Sequence, residues 1–246
     1  MRTPGSRLLA VATLLALASA TRAAGVAVTW DSDLAPPADR QAYERQLLEI
    51  VRDARARVVA ETGLEPGPLL EVKLHSRAGY ERQFGSDAAH LDAARFADEV
   101  VHVNGGARLD DRLAGVLVHE MVHAALDARG AAGALPRWLD EGLAERASWR
   151  KRGLEAPAPN QVAELKQARE RKELVPLPRA GELSRLGYLK SWAAVLFLEG
   201  KFGRERVMAT VRATLGGEPF EKALGREVGL SPDEVDRGFE EWVGRL

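Results

Sequence analysis

The chain has 246 residues, enough to bury a substantial core, and its 46% hydrophobic and 29% charged content is that of an ordinary globular protein. Its 35 basic and 36 acidic side chains nearly cancel, to a formal charge of −1, so no global field favours nucleic acid or an anionic membrane as a partner. No cysteine is present, which removes disulfides and a lipid-modified cysteine from consideration.

Residues 1–24 have the three-part layout of a secretory signal peptide. Arg2 and Arg7 precede an apolar run from Leu8 to Ala18, and small residues follow. Ala18-Ser19-Ala20 fits a small-x-small cleavage site, and Thr21-Arg22-Ala23 is a second choice. Even extended to Ala20, the apolar run is too short to span a bilayer as a helix. A short N-terminal membrane anchor is the competing reading. The expectation is a periplasmic or secreted protein with no stable membrane span after signal removal. Its folded part, 25–246, divides into an α/β portion at 25–130 and a helical subdomain at 131–246.

Within that part, Val26 to Trp30 reads as a strand, and Asp39 to Thr62 as an amphipathic helix with Leu47, Ile50, Val51 and Val58 at helical spacing. Thr62-Gly63 and Pro66-Gly67-Pro68 stop it. Leu69 to His75 alternates as a half-buried strand, a short helix covers 78–84, and 85–97 has no clear pattern. Glu99 to Asn104 is β-branched and ends at Gly105-Gly106, so it is expected as a strand. Helices are expected thereafter at 109–128, 137–151, 160–172, 181–201, 203–215, 218–228 and 231–244. Strands first and helices after imply an α+β domain. The charge runs 150–152 and 166–173 read as solvated helix faces, and Trp192, Phe197 and Phe202 as core. Gly-Gly at 105–106 and 216–217 lacks the Lys-Ser/Thr of a phosphate-binding loop.

The helix at 109–128 carries His119, Glu120 and His123 in an otherwise apolar stretch. Positions 119 and 123 lie about 40° apart on a helix, so both imidazoles face one side. Glu120 sits a further ~60° round, too far to share a cation easily but within reach of a water beside it. Buried His and Glu need partners, and a metal ion with its water satisfies all three. The pattern is His-Glu-x-x-His, a zinc signature of metallopeptidases. A catalytic zinc wants a third protein ligand. Downstream, Pro136-Arg137-Trp138-Leu139-Asp140-Glu141-Gly142-Leu143-Ala144-Glu145 opens a helix with Glu141 and Glu145 on one face at i,i+4. Like charges so placed repel, unless one binds metal and the other orients an imidazole.

Together, HEMVHAALD and LPRWLDEGLAE resemble the gluzincins, the thermolysin-like zinc metallopeptidases, and most closely the peptidase MA-like family. The resemblance covers roughly 95–246 and includes Gly187-Tyr188, Lys201-Phe202-Gly203 and the C-terminal FEKALGREVGLSPDEVDRGFEEWV. It implies a zincin-like fold and one Zn2+ per chain held by His119, His123 and Glu141. It also implies Glu120 as general base, Glu145 as a partner of His119 and Tyr188 as a donor to the oxyanion. The implied substrate is a peptide or protein laid along an edge strand, for which 99–104 is the candidate. His102 is expected to be structural, and His75 and His90 to be surface residues. Two other classes stay open: a catalytically silent zinc-binding scaffold, and an exported helical interaction module without metal. Substrate identity, endo- against exopeptidase action and oligomeric state have no signal in the sequence.

Overall fold

The computed structural model describes residues 21–23, 25–31, 33–34, 38–67, 70–91, 93–105, 108–130 and 133–246. The expected signal peptide lies outside the described residues apart from 21–23, and so do Pro68, Leu69 and Gly106. Among the described residues, no helix is long and apolar enough to cross a membrane.

The molecule is α+β, strands first and helices after. The strands are β1 (Thr21–Ala23), β2 (Val26–Trp30), β3 (Leu70–Leu74), β4 (Ala94–Ala97) and β5 (Val100–Val103), in the sheet order β1-β2-β3-β5-β4. The β2/β3 and β3/β5 pairs are parallel, whereas β1/β2 and β4/β5 are antiparallel. Val26, Val28, Val72, Leu74, Val101 and Val103 point to one face and are almost wholly buried. Each such side chain contributes about 1.5–3 kcal/mol relative to exposure.

That face is covered by α1 (Arg40–Thr62) and α4 (Asp111–Asp127). Asp39 caps α1 by accepting from Ala42 N at 2.8 Å, and Gly63 ends it in the left-handed conformation at φ 68°. The opposite face carries α2 (Arg77–Phe84) and α3 (Ser86–Leu91), where Tyr80 and Ala88 form a separate small cluster with Phe84.

Three sequence expectations need correction here. The stretch 85–97 holds α3 and β4, the latter followed by a two-residue turn at Asp98-Glu99, both at positive φ (49° and 63°). Such a turn usually announces itself by Asn-Gly or Gly-Gly, and Asp-Glu gives no such signal. The expected strand at 99–104 is β5, but it lies inside the sheet between β3 and β4, so the open edge is β4. His75 is not a surface residue: it is 1% exposed and bonded to two partners. It follows Leu74, so it leaves on the α2–α3 face, where Tyr80 and Phe84 pack edge-on against its ring. The side chain of His90 lies outside the described residues.

The helical half comprises α5 (Arg137–Lys151), α6 (Pro159–Glu170), α7 (Arg185–Phe202), α8 (Arg204–Leu215), α9 (Phe220–Glu227) and α10 (Pro232–Arg245). The apolar side chains of this half run continuously into the main core. Trp192 and Phe197 are buried and Phe202 partly so, as expected of core residues. α7 begins at 185 rather than 181 because Ser184 caps it, accepting from Gly187 N at 3.2 Å. Ser231 and Glu234 form a capping box that starts α10. α5 and α7 cross with Gly142 against the backbone of Ser191: a Cβ at 142 would lie 2.4 Å from the Ser191 carbonyl oxygen.

Candidate metal centre

α4 and α5 run antiparallel, because His119 meets Glu145 and Glu141 while His123 meets Glu141 and Asp140. The buried side of α4, from Leu113 to Leu126, fixes the helix on the sheet, so His119, Glu120 and His123 face the groove between them. α5 has no side-chain cap. Its first amides, Arg137 N and Trp138 N, instead donate to the carbonyls of Arg179 and Pro178 at 3.0 and 2.8 Å. Those bonds fix the first turn of α5 and with it the position of Glu141.

His119 Nε2, His123 Nε2 and Glu141 Oε2 converge on one point. The two imidazole nitrogens are 3.1 Å apart, and Glu141 Oε2 lies 3.3 Å from His119 Nε2 and 3.5 Å from His123 Nε2. Each histidine turns its other nitrogen to a carboxylate: His119 Nδ1 to Glu145 at 3.4 Å, and His123 Nδ1 to Asp140 at 2.8 Å. With those Nδ1–H groups donating, both Nε2 atoms present lone pairs to each other and to an anionic oxygen. Glu141 is 2% exposed, and its Oε2 is buried without a hydrogen-bond partner. Three acceptors facing one another in a buried place need a cation.

These residues fit zinc. At the usual Zn–N and Zn–O lengths, tetrahedral ligand atoms stand ~3.3 Å apart, which is the size of the triangle seen here. The cluster is the one group of potential metal ligands among the described residues.

The electrostatics show the same demand for positive charge at this point, which protons on the imidazoles meet when no cation is bound. Burial opposes charge on His123, but Asp140 and Glu141 outweigh it and push its pKa up to about 10. His119 is raised in the same way against burial, by Glu141, Glu120 and Glu145. Burial likewise opposes the Glu141 carboxylate, yet the two histidines hold it well below the usual range. Arg137 braces it from the other side, with its guanidinium 2.5 Å from Glu141 Oε1 and 3.5 Å from Asp140 Oδ2.

Glu120 and Tyr188 line the same cleft of about 680 Å³. Glu120 Oε2 accepts from the Phe96 amide on β4 at 2.7 Å. Burial, with Glu141 adding, pushes the Tyr188 phenol up to about 12, so its O–H is retained at neutral pH. Tyr188 sits in the first turn of α7, behind the Ser184 cap. Glu145 is held at its other oxygen by Trp149 Nε1.

The structure thus brings His119, His123, Glu141 and Glu145 into contact and sets Glu120 and Tyr188 at the same cleft. Sequence reasoning missed Asp140 and Arg137. Their signal was present in the spacing, since Arg137 is i,i+3 to Asp140 and i,i+4 to Glu141. His102 lies outside the cleft. It is 3% exposed, with Nδ1 2.7 Å from His75 Nε2, while His75 Nδ1 meets Asp31 Oδ2 at 2.9 Å. Comparison with known protein families finds no family model that matches this chain, and comparison with curated proteins finds no match.

Proposed function

We propose that this chain is an exported zinc-dependent peptidase of gluzincin type. The observation that carries the reading is the buried Glu141 Oε2, without a hydrogen-bond partner, facing two imidazole nitrogens at 3.3 and 3.5 Å. His119, His123 and Glu141 would hold one Zn2+. When bound, zinc would supply Lewis-acid polarisation of the scissile carbonyl and of the attacking water.

The rest of the chemistry falls to the chain's own side chains. Glu120 takes the proton of the attacking water on its carboxylate and passes it to the leaving amine nitrogen, as base and then acid. The Tyr188 O–H donates to the oxygen that develops negative charge. Asp140 and Glu145 keep the Nδ1–H of His123 and His119 occupied, so that each Nε2 remains a ligand. Arg137 holds Glu141 in place from its far oxygen.

The peptide would be laid on β4 rather than on β5. Ala93 O accepts from Asn104 N at 2.9 Å, on the paired side of the strand. Strand alternation therefore turns the N–H and C=O groups of Ala94 and the C=O of Phe96 to the open edge, where Glu120 takes the Phe96 N–H. The expected signal peptide supports export.

Zinc content of the purified chain, together with hydrolysis of a mixed peptide library, tests the reading. Near one zinc per chain is expected, lost in His123→Ala and Glu141→Ala, with cleavage abolished in a Glu120→Gln variant that keeps its zinc. A chain that binds no zinc after reconstitution, or a Glu120→Gln variant as active as wild type, would overturn it.

A further inference from the structure

The cleft does not end at the zinc ligands. Beyond His119 it continues into a cavity of about 340 Å³ between the first half of α4 and the last turns of α5. Its lining includes Ala94, Arg112, Val116, Ser148 and Arg152, and it shares His119, Glu120 and Tyr188 with the main cleft. Sequence reading placed Arg152 in a solvated charge run, yet its guanidinium stacks on Trp149 at 4.2 Å and its stem lies against Gly115. Any Cβ at 115 would meet Arg152 Cδ at 3.3 Å and Ser148 Oγ at 3.4 Å, so the glycine leaves room for both.

Three features leave donors in this cavity without partners. Arg112 and Arg152 are exposed at its rim, and among the described residues neither has an ion pair. Ser148 is 6% exposed, lines the cavity, and has no hydrogen-bond partner among the described residues. The two acids in the lining are already engaged: Glu145 by His119 and Trp149, and Glu120 by the Phe96 amide. Two arginines without ion pairs and a buried hydroxyl lining one cavity are the donors a carboxylate takes. On the Phe96 side, Asp127 lines the main cleft and, with Glu99, a further hollow beyond it.

We propose that Arg112, Ser148 and Arg152 select peptides carrying a carboxylate just C-terminal to the scissile bond. The direction rests on the peptidase reading above. A peptide pairing antiparallel with β4, the commoner geometry, runs its C-terminal side past Ala94 and into this cavity. Its N-terminal side then passes Phe96 toward Asp127 and Glu99. The carboxylate is an Asp or Glu side chain, or the free C-terminus of a short substrate.

The test uses zinc-loaded Glu120→Gln protein, which holds a peptide without cutting it. Fluorescein-labelled decapeptides with Glu at the two positions after the cleaved bond are compared with their Gln isosteres by anisotropy. Charge-assisted hydrogen bonds of this kind make Glu peptides bind about tenfold more tightly. The preference is expected to shrink in Arg112→Gln and in Arg152→Gln, and Arg112→Glu to favour Lys at those positions. Arg112 is exposed, so its variants fold even if loss of Arg152 loosens Trp149. Amidated peptides with neutral side chains separate side-chain from C-terminal recognition. Equal binding of Glu and Gln peptides, no binding of either, or a preference unchanged in both arginine variants would overturn the proposal. A Glu preference in a chain whose wild type cuts no peptide would keep the anion site and refute the peptidase reading instead.

Discussion

Replacing Gly142 by alanine probes how the helix that carries Glu141 is held. The new methyl would stand 2.4 Å from the Ser191 carbonyl oxygen and 2.7 Å from Val195 Cγ2, where ordinary contact begins at 3.4 Å. Relief requires α7 to retreat from α5 by roughly 1 Å, because a backbone carbonyl cannot rotate aside as a side chain does. Helix propensity alone favours alanine by about 1 kcal/mol, whereas overpacking of this severity costs ~3 kcal/mol or more. The net expectation is a loss of about 2 kcal/mol, or roughly 4–8 °C in Tm for a domain of this size. Gly200 on α7 is the control, since a Cβ there meets nothing within 4 Å. Gly200→Ala should be neutral to stabilising by up to ~1 kcal/mol. Urea unfolding followed by circular dichroism gives both values from the midpoint and slope. Zinc content should fall as well in Gly142→Ala, because residue 142 adjoins Glu141. A Gly142→Ala protein as stable as wild type would refute the close approach of the two helices.

Three more outcomes follow from the site and from the sheet. Asp140→Asn should weaken zinc about 10–100-fold against a chromophoric chelator, because the carboxylate on His123 Nδ1 is lost; unchanged affinity would mean that bond does not orient the ring. Chelation should lower stability by ~2.7 kcal/mol relative to protein in zinc at a hundredfold its Kd, read as a shift in the urea midpoint, and no shift would argue against a metal. Burial lowers the pKa of both His75 and His102 from 6.5, the first against the pull of Asp31 and the second with His75 adding to the effect. For a base with a depressed folded pKa, the unfolded chain binds more protons, so this contribution is full above pH 6.5 and is lost as pH falls through the folded values. Unfolding midpoints between pH 7.5 and pH 5 should therefore drop less in His102→Gln than in wild type, and parallel curves would contradict this.

Where periodicity or capping speaks, the sequence is a good guide. α5 falls at 137–151 as expected, because Pro136 and an apolar 3.6-residue spacing mark it. α10 starts where Ser231 and Pro232 say it should. The i,i+4 histidines meet because helix geometry leaves them no alternative. β4 and its turn stayed hidden because a four-residue strand has too few alternations to read, and Asp98-Glu99 adopts a conformation its residue types disfavour. The buried state of His75 was invisible for a different reason. Its partners, Asp31 just past β2 and His102 on β5, lie 44 and 27 residues away in sequence, and strand register brings them together. Arg152 is exposed, as its charge run implied, but the groove it borders forms only when α5 docks on α4 and so left no local signal.

The layer made by α2 and α3 rests on a satellite cluster of Tyr80, Ala88 and Phe84, apart from the main core. Units with so little apolar contact of their own open at a free energy below that of global unfolding. β4 meets this layer through Arg95, which lies over Phe84 at 5.5 Å, while Ala94 and Phe96 pack on the main core from the other face of the edge strand. His119, His123 and Glu141, in contrast, come from α4 and α5, whose buried faces belong to the main core. In hydrogen exchange the amides of Ala94 to Ala97 should therefore exchange well before those around His123 and Glu141. A substrate strand added to β4 would slow that exchange by covering the open edge. Under the proposed function, capture of the peptide and the chemistry done to it would run on separate clocks, one set by a strand edge and the other by helices rooted in the main core.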